Sequence, residues 1–316
     1  MTTSSVLRAP DVSIVAALYF EEECVAEFIR RIRSSLDGSG LGYELILVDD
    51  ESRDRTVEIV TDFALHDARI KLIELSRNNG KEVAITAGIE HAQGARIVMM
   101  DPDLQDPPEE ILPLVRKLDE GYDLVFGVRR READTFVHAI SSRLFWIALN
   151  ALTGLDIPEN LSTMRTFNRK FAEEFKRYPE RVRFIEGVFM LVGMRRTTLG
   201  VSRHVRFAGR SRYNFVRKMT LAFNAILSFS DRPLKLSVIL GGLMCVSSVL
   251  FAAYTIAQKL LFNVGLAGWT SMITAIVFLA GIQTLILGLV GLYVGRTYTE
   301  VKGRPLYCIQ NKMNLP

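Results

Sequence analysis

The sequence predicts an α/β domain built on a mostly parallel sheet, followed by a hairpin of two apolar helices long enough to cross a membrane. Three observations carry this. Short β-branched runs alternate with amphipathic stretches through the first half of the chain, the pattern of strand–helix units that close a parallel sheet. From Leu236 to Gly295 the only charged residue is Lys259. The unusual polar residues cluster where the runs end, and ligands of such sheets sit outside the carboxyl ends of the strands.

Taken in order, Val12–Ala17 reads as the first strand. A helix over Glu21–Leu36 follows, with apolar residues at Val25, Phe28, Ile29 and Ile32 on one face of a 3.6-residue period. Tyr43–Val48 is a second strand, with a helix after Asp54, and Ile70–Leu75 a third, with a helix over Glu82–His91. Arg96–Met100 is a fourth, and Leu124–Gly127 a fifth after the Pro107–Asp119 stretch. Phe136–Leu152 and Tyr213–Phe229 mix aromatic, aliphatic and a few basic residues. They read either as helices lying in a membrane surface or as ordinary amphipathic helices packed on the sheet.

Lys259 divides the C-terminal apolar region into two stretches, each long enough for the roughly 20 residues that span a hydrocarbon core. A short connection near Lys259–Gly268 makes a hairpin. Arg232, Lys235, Arg296, Lys302 and Arg304 flank its outer ends, so the positive-inside rule puts both termini in the cytoplasm. Of the 316 residues 49% are hydrophobic, and the mean hydropathy is +0.18, high for a wholly soluble protein. The net charge is only +4, yet the basic excess is local. Between Glu186 and Asp231 there is no acidic residue, while Arg195, Arg196, Arg203, Arg206, Arg210, Arg212, Arg217 and Lys218 all fall there. Such a stretch points to an anionic partner: phosphate, lipid headgroup or nucleic acid. A nucleic acid would explain the arginines but not the hairpin. Cys24, Cys245 and Cys308 are far apart and form neither a metal spacing nor a disulfide framework. The N-terminus, MTTSSVLRAPDVS, lacks the apolar core of a secretory signal, which keeps the first domain in the cytoplasm.

The second strand ends in VDDESRDRT, packing Asp49, Asp50, Ser52, Asp54 and Thr56 into one turn. Adjacent carboxylates there need a partner to share their charge. A nucleoside offers one through base N–H and ribose hydroxyls, and an Asp-rich turn with a helix cap at Asp54 is the plainer reading. The fourth strand ends in MMDPDLQDPPE. Asp101 and Asp103 in Asp-x-Asp spacing, with the Gln105 amide, suit a hard cation such as Mg2+ or Mn2+, which takes oxygen ligands and keeps positions open for phosphate. Between them, Arg77 and Lys81 flank Asn79-Gly80 before a helix. This is a phosphate site made of cations and helix-start N–H groups, or only a type I′ turn.

Read together, YFEEE, VDDESRDRT, RNNGK, DPDLQDPPE, GVRRR and RFAGRSRY resemble the polyisoprenyl-phosphate glycosyltransferases of glycosyltransferase family 2. That group includes bactoprenol glucosyltransferases, dolichyl-phosphate mannose synthases and the undecaprenyl-phosphate aminoarabinose transferase. The likeness runs from about Val12 to Arg304–Tyr307. It implies a GT-A, Rossmann-like catalytic domain, a UDP- or GDP-sugar donor (UDP expected), Mg2+ or Mn2+, an inverting single displacement, and a homo-oligomer, a tetramer by resemblance. By position, Glu21, Asp50 and Lys81 match nucleotide and pyrophosphate contacts. Asp101, Asp103 and Gln105 match the metal cluster, with Asp101 also near the nucleoside. Arg129 and Arg131 match acceptor-phosphate contacts and, with Asp101 and Asp103, make up the expected catalytic set. Arg206, Ser211, Arg212 and Tyr213 match a later acceptor segment, with Arg212 in place of the usual lysine. Each arginine has membrane-surface charge as its alternative role. The implied organisation is a nucleotide-sugar-binding core over 1–135, an acceptor-binding region with interfacial helices over 136–232, a transmembrane hairpin over 233–297 and a cytoplasmic tail over 298–316. The implied location is the inner membrane, serving a cell-envelope glycan.

The sequence departs from the family at two further places. The first strand usually ends Pro-x-Tyr-Asn-Glu, but Phe20 stands where the Asn would be. Many members carry Gly-Asp-Phe-Arg where this chain has Ser162-Thr163-Met164-Arg165, so the Asp often proposed as a base is Thr163. A base is dispensable for such an acceptor, because the second pKa of a phosphate monoester is near 6. A processive family 2 polysaccharide synthase would share the donor site, but its Gln-x-x-Arg-Trp motif is absent from the sequence. A non-catalytic nucleotide-binding scaffold is the other alternative, and the intact acidic pair argues against it.

Overall fold

A computed structural model describes residues 9–129, 150–151, 153–158, 160–178, 180–181, 184–204, 230–262 and 268–315. The chain divides into two compact units. The first comprises residues 1–148, 155–218 and 304–316, and the second residues 149–154 and 219–303.

The first unit is a single eight-stranded sheet in the order β7-β5-β6-β4-β1-β2-β3-β8. Its strands are β1 (Val12–Leu18), β2 (Tyr43–Asp49), β3 (Ile70–Leu75), β4 (Arg96–Met99), β5 (Leu124–Arg129), β6 (Leu161–Asn168), β7 (Arg196–Val201) and β8 (Ile309–Met313). Strands β1 to β4 are parallel. The expected strands and helices of the first half form with boundaries within a few residues of the expectation. Three strands were not expected. Strand β6 runs antiparallel between β4 and β5, β7 is parallel to β5, and β8 is antiparallel to β3. The last of these draws the expected C-terminal tail into the sheet as an edge strand.

The helices follow from their apolar spacing. Helix α1 (Val25–Leu36) buries Val25, Phe28, Ile29, Ile32 and Leu36. It lies in one core with Ile14, Leu45, Leu47 and Val60, where α2 (Thr56–His66) and α4 (Ile111–Asp119) contribute. Helix α3 (Lys81–His91) is buried from Val83 to Ile89. A Cβ on its Gly88 would lie 2.3 Å from Val15 Cγ1, so only glycine lets this helix approach so closely. Helices α5 (Arg169–Lys176) and α6 (Ile185–Val192) close the sheet's other half. There Phe189 sits among Phe167, Phe171 and Phe175 with ring centroids 5.1–5.2 Å away, within the range of favourable edge-to-face pairs. Asn168 caps α5 by accepting from Phe171 N at 2.8 Å, the usual stabilisation of a first helical turn.

The second unit contains α7 (Arg232–Phe262) and α8 (Trp269–Val301). The segments Arg232–Phe251 and Ala275–Val301 have mean hydropathies of 2.0 and 2.3 and are long and apolar enough to cross a membrane. Large apolar side chains such as Leu240, Val246, Phe251, Val277, Phe278 and Leu285 are exposed, a surface that water does not favour. Lys259 lies inside α7, not in the connection as expected, because lysine is a good helix former and the helix continues past the apolar run. The expected interfacial stretch Tyr213–Phe229 and most of Phe136–Leu152 lie outside the described residues.

Candidate active site

The carboxyl edge of the sheet gathers the polar loops, and Asp50 organises two of them. It follows β2 and is 2% exposed. Its Oδ1 accepts from Asn79 N at 2.7 Å and its Oδ2 from Gly80 N at 2.8 Å. Burial pushes the Asp50 carboxyl up, and the two N–H groups oppose that shift. The backbone donors expected to cradle a phosphate are therefore given to Asp50, and Gly80, at φ 92, takes the conformation that lets them converge. Burial likewise raises Asp49. Its Oδ2 accepts from Ser52 N at 2.9 Å, and its buried Oδ1 has no hydrogen-bond partner among the described residues. The unfilled acceptor of the acidic pair thus belongs to Asp49.

The β1 and β2 loops are stitched together. Phe20 N donates to Ser52 Oγ at 3.0 Å, Glu21 N to Thr56 Oγ1 at 2.9 Å, and Glu22 N to Asp54 Oδ2 at 3.4 Å. Asp54 also accepts from Thr56 N at 3.1 Å, a local turn just ahead of α2; the cap position is Arg55, which makes no side-chain cap bond, so the expected cap at Asp54 does not form. Phe20 adopts φ 57 and Glu51 φ 64, left-handed backbone that non-glycine residues seldom adopt and that concentrates at functional sites.

At the end of β4, Lys81 Nζ lies 2.6 Å from Asp101 Oδ1. Asp103, 7% exposed, accepts from Gln105 N at 3.1 Å, and buried Leu104 between them has φ 60. The Gln105 carbonyl accepts from His204 N at 2.8 Å, tying this loop to the chain beyond β7. Among the described residues no group of three His, Cys, Asp or Glu side chains could hold a metal ion. The donors at Asp101 and Asp103 are carboxylate oxygens, however. Two carboxylates fit a hard cation of the Mg2+ type that draws its other ligands from substrate phosphates and water.

The third cluster lies where β5 ends and β6 begins. Asp106, 1% exposed, accepts on Oδ2 from Ser162 Oγ at 2.5 Å and from Thr163 Oγ1 at 2.9 Å. Its Oδ1 faces Arg129 Nε at 3.5 Å. Arg165, 1% exposed in mid-sheet, pairs with Glu186 at 2.9 Å and lies over the rings of Phe126 and Phe189 at 5.7 and 5.5 Å.

Comparison with known proteins now decides the family. The model of "Glycosyl transferase family 2" matches residues 13–176, which hold nearly all of β1 and β2 to β6, with Asp50, Lys81, Asp101, Asp103, Asp106 and Arg129. The chain belongs to glycosyl transferase family 2. It is 38% identical over 306 residues to an uncharacterized glycosyltransferase of Synechocystis sp. (strain ATCC 27184 / PCC 6803 / Kazusa), covering 96% of each chain. It is 33% identical over 300 residues to the SfII prophage-derived bactoprenol glucosyl transferase of Shigella flexneri, covering 95% of this chain and 97% of that one. Among solved structures, glucosyl-3-phosphoglycerate synthase from Mycobacterium tuberculosis with phosphoglyceric acid superposes with a TM-score of 0.52 at 18% identity, over 70% of this chain and 79% of that one. The same enzyme in complex with Mn2+, UDP and glucosyl-3-phosphoglycerate gives 0.50, over 69% and 78%.

Within this family 2 glycosyltransferase, the structure brings Glu21, Asp50, Lys81, Asp101, Asp103, Gln105 and Arg129 to one edge of the sheet. Arg131, Arg206, Ser211, Arg212 and Tyr213 lie outside the described residues. The sequence reading assigned no role to Glu82, Asp106, Ser162, Arg165 or Glu186. The one signal for Arg165 was a lone charged residue between Met164 and Phe167 in a run that otherwise carries only apolar and uncharged polar side chains.

Proposed function

We propose that this chain transfers one sugar from a nucleotide-sugar donor, a UDP-sugar, to a polyisoprenyl phosphate at the cytoplasmic face of the membrane, with inversion at the anomeric carbon. The observation that carries this reading is the joining, in one chain, of an Asp101-x-Asp103 loop paired to Lys81 with two membrane-length apolar helices. The near-complete alignment with a bactoprenol glucosyl transferase supports a lipid-carried acceptor. The excess of flanking basic residues supports cytoplasmic termini. In this reading the sequence segments 1–135, 136–232 and 233–297 serve donor, acceptor and membrane, with β6 and β7 of the second segment sharing the sheet of the first, while 298–316 ends in β8 on the donor side of the sheet.

In this reading Asp50 holds the Asn79–Gly80 loop in the shape that presents Lys81 to the donor pyrophosphate. Glu21 and the Asp49–Asp50 turn line the nucleoside side. Asp101 and Asp103 would hold Mg2+ or Mn2+, which neutralises charge on the departing diphosphate. Arg129 and Arg131, with Arg206, Ser211, Arg212 and Tyr213, bind the acceptor phosphate, for which the arginine fork is matched in geometry. An acceptor phosphate oxygen attacks the anomeric carbon, a new C–O bond forms on the opposite face, and the C–O bond to the nucleoside diphosphate breaks. The acceptor is largely dianionic near neutral pH, so no proton has to be removed first. Orientation and charge stabilisation then carry the rate.

The test is mass spectrometry of lipids from membranes containing the protein, given a panel of nucleotide sugars and polyprenyl phosphate. One monoglycosylated polyprenyl phosphate is expected from one donor. A ladder of longer products would favour a processive synthase, and no lipid product from any donor would sink the reading.

A further inference from the structure

Three elements converge on a carboxylate that the transfer step as described leaves without a task. Strands β5 and β6 approach so closely that a Cβ on Gly127 would lie 2.7 Å from Met164 O and 3.3 Å from Ser162 Cβ. Their register shifts between Phe126 and Val128, which brings Val128 opposite Leu161. Arg129 N then donates to Asn160 O at 3.0 Å, and Asn160 turns the chain at φ 57. This places Arg129 beside Ser162 and Thr163. The loop after β4 inserts Asp106 between them.

The Asp106 carboxylate is asymmetric. Its Oδ2 takes both hydroxyls, from Ser162 at 2.5 Å and Thr163 at 2.9 Å. Its Oδ1 is buried with no hydrogen bond among the described residues, and the Arg129 Nε it faces at 3.5 Å is likewise buried with none among them. A buried charge is costly unless paired, and this pair stands just beyond good hydrogen-bond length. About a quarter of the Arg129 side chain remains exposed (26%), and among the described residues no hydrogen bond engages its Nη groups. One edge of the guanidinium is thus directed inward by a carboxylate that two hydroxyls hold in place.

We propose that Asp106 is a positioning residue for the acceptor site: gripped by Ser162 and Thr163, it fixes the Nε edge of Arg129 so that the Nη donors meet the acceptor phosphate. This rests on the reading of Arg129 as an acceptor-phosphate contact. An arginine oriented in advance loses less freedom when it binds, and its planar fork rewards that orientation more than a lysine would. Asp106 touches neither substrate and acts through Arg129.

The experiment is steady-state kinetics of Asp106→Asn, Arg129→Ala and the double variant, with donor and polyprenyl phosphate varied separately. Asp106→Asn is expected to raise the acceptor KM about tenfold, the effect of losing one partly buried ion-pair partner, and to leave the donor KM within about twofold. In the Arg129→Ala background the Asp106 change is expected to add nothing, because its effect passes through the missing guanidinium. A wholly structural role would lower activity in both backgrounds and move both KM values, and that result overturns the inference. If Asp106→Asn does not accumulate as folded protein, Ser162→Ala removes the shorter of the two hydroxyl contacts while leaving the carboxylate charged. A raised acceptor KM with donor KM unchanged supports the inference, and an unchanged acceptor KM overturns it. If Arg129→Ala itself leaves acceptor KM unchanged, the acceptor-site reading fails, which separates the two failures.

Discussion

Lys81 Nζ lies 2.7 Å from Asp101 Oδ2 and 2.6 Å from Asp101 Oδ1. The contact joins the start of α3 to the end of β4, with the loop before it fastened by Asp50. A lysine so placed neutralises one carboxylate of the acidic loop and presents positive charge where a pyrophosphate would lie. Lys81→Met is expected to raise the donor KM about tenfold or more, as the loss of a charge-assisted contact does, with the acceptor KM little changed. An effect confined to the acceptor would remove Lys81 from the donor site.

Asp103→Asn is expected to nearly abolish transfer while the protein still folds, since it would exchange a hard anionic ligand of the proposed cation for a neutral amide. Its burial beside Leu104, at φ 60, makes the fold check necessary, and a wild-type-like circular dichroism spectrum provides it. Chelator treatment of the wild type is expected to stop turnover, with recovery on adding Mg2+ or Mn2+. Full activity after chelation would end the metal assignment.

The legible parts of this molecule were those whose side chains pattern with the backbone period. Strands β1 to β5 show themselves as β-branched runs, and α1 through Val25, Phe28, Ile29 and Ile32. Strand β6, LSTMRTFN, did not, because its Ser162, Thr163 and Arg165 are polar although it lies mid-sheet. Burial there depends on partners from distant segments: Asp106 for the hydroxyls and Glu186 for the guanidinium. Strand β8 is a five-residue, largely polar edge strand whose neighbour among the described strands, β3, lies near the other end of the chain. Asp50, Lys81, Asp101 and Asp103 were readable as types at strand ends. That Asp50 would use both its oxygens on the Asn79–Gly80 loop was not, because backbone donors carry no sequence signature.

Gly88 tests how tightly the donor-side scaffold is packed. A Cβ there would come 2.3 Å from Val15 Cγ1 and 3.1 Å from Val48 Cγ2, both on strands that lead into the site. Gly88→Ala gains helix propensity, worth about 1 kcal/mol, but overpacking between rigid strands costs roughly 1–3 kcal/mol or more. The net effect is expected to be destabilising, read as a lowered thermal midpoint and a donor KM raised with it. A midpoint at or above the wild type would show that α3 shifts away without penalty.

Glu82 gives the protein a pH-dependent stability. Its Oε2 is buried with no hydrogen-bond partner among the described residues. Burial, with repulsion from Glu186, pushes its carboxyl up to about 7. Burial acts against the Glu186 carboxylate too, but Arg165 beside it holds that group below its ordinary range. The negative charge therefore rests on Glu186 and the proton on Glu82. In the unfolded chain Glu82 ionises near 4.5, so between these values the folded state binds more protons. Its contribution is fully present below about 4.5 and is lost as pH rises through about 7. Glu82→Gln, which cannot ionise, is expected to flatten this fall when thermal midpoints are compared between about pH 5 and 8. Parallel curves for the two proteins would show that no such buried proton exists.

Thr163 stands where a carboxylate base is often proposed, and the structure gives its hydroxyl another task. Its Oγ1 donates to Asp106 Oδ2 at 2.9 Å, on the oxygen that Ser162 also grips. A threonine hydroxyl is far too weak a base near neutral pH, and a phosphate acceptor is already a nucleophile. Removing the hydroxyl leaves the Ser162 contact and the carboxylate charge in place. The expected loss is that of one of two hydroxyl hydrogen bonds to a charged carboxylate, about 1.5–3 kcal/mol. Thr163→Val is therefore expected to keep most of its kcat, with a modest rise in acceptor KM as Asp106 loosens its hold on Arg129. If Thr163 were instead the group that accepts a proton, kcat would fall by the hundredfold or more typical of a lost general base, and acceptor KM would not separate from donor KM. Single-turnover rates measured at saturating polyprenyl phosphate distinguish these outcomes, since saturation cancels a binding defect and leaves a chemical one exposed.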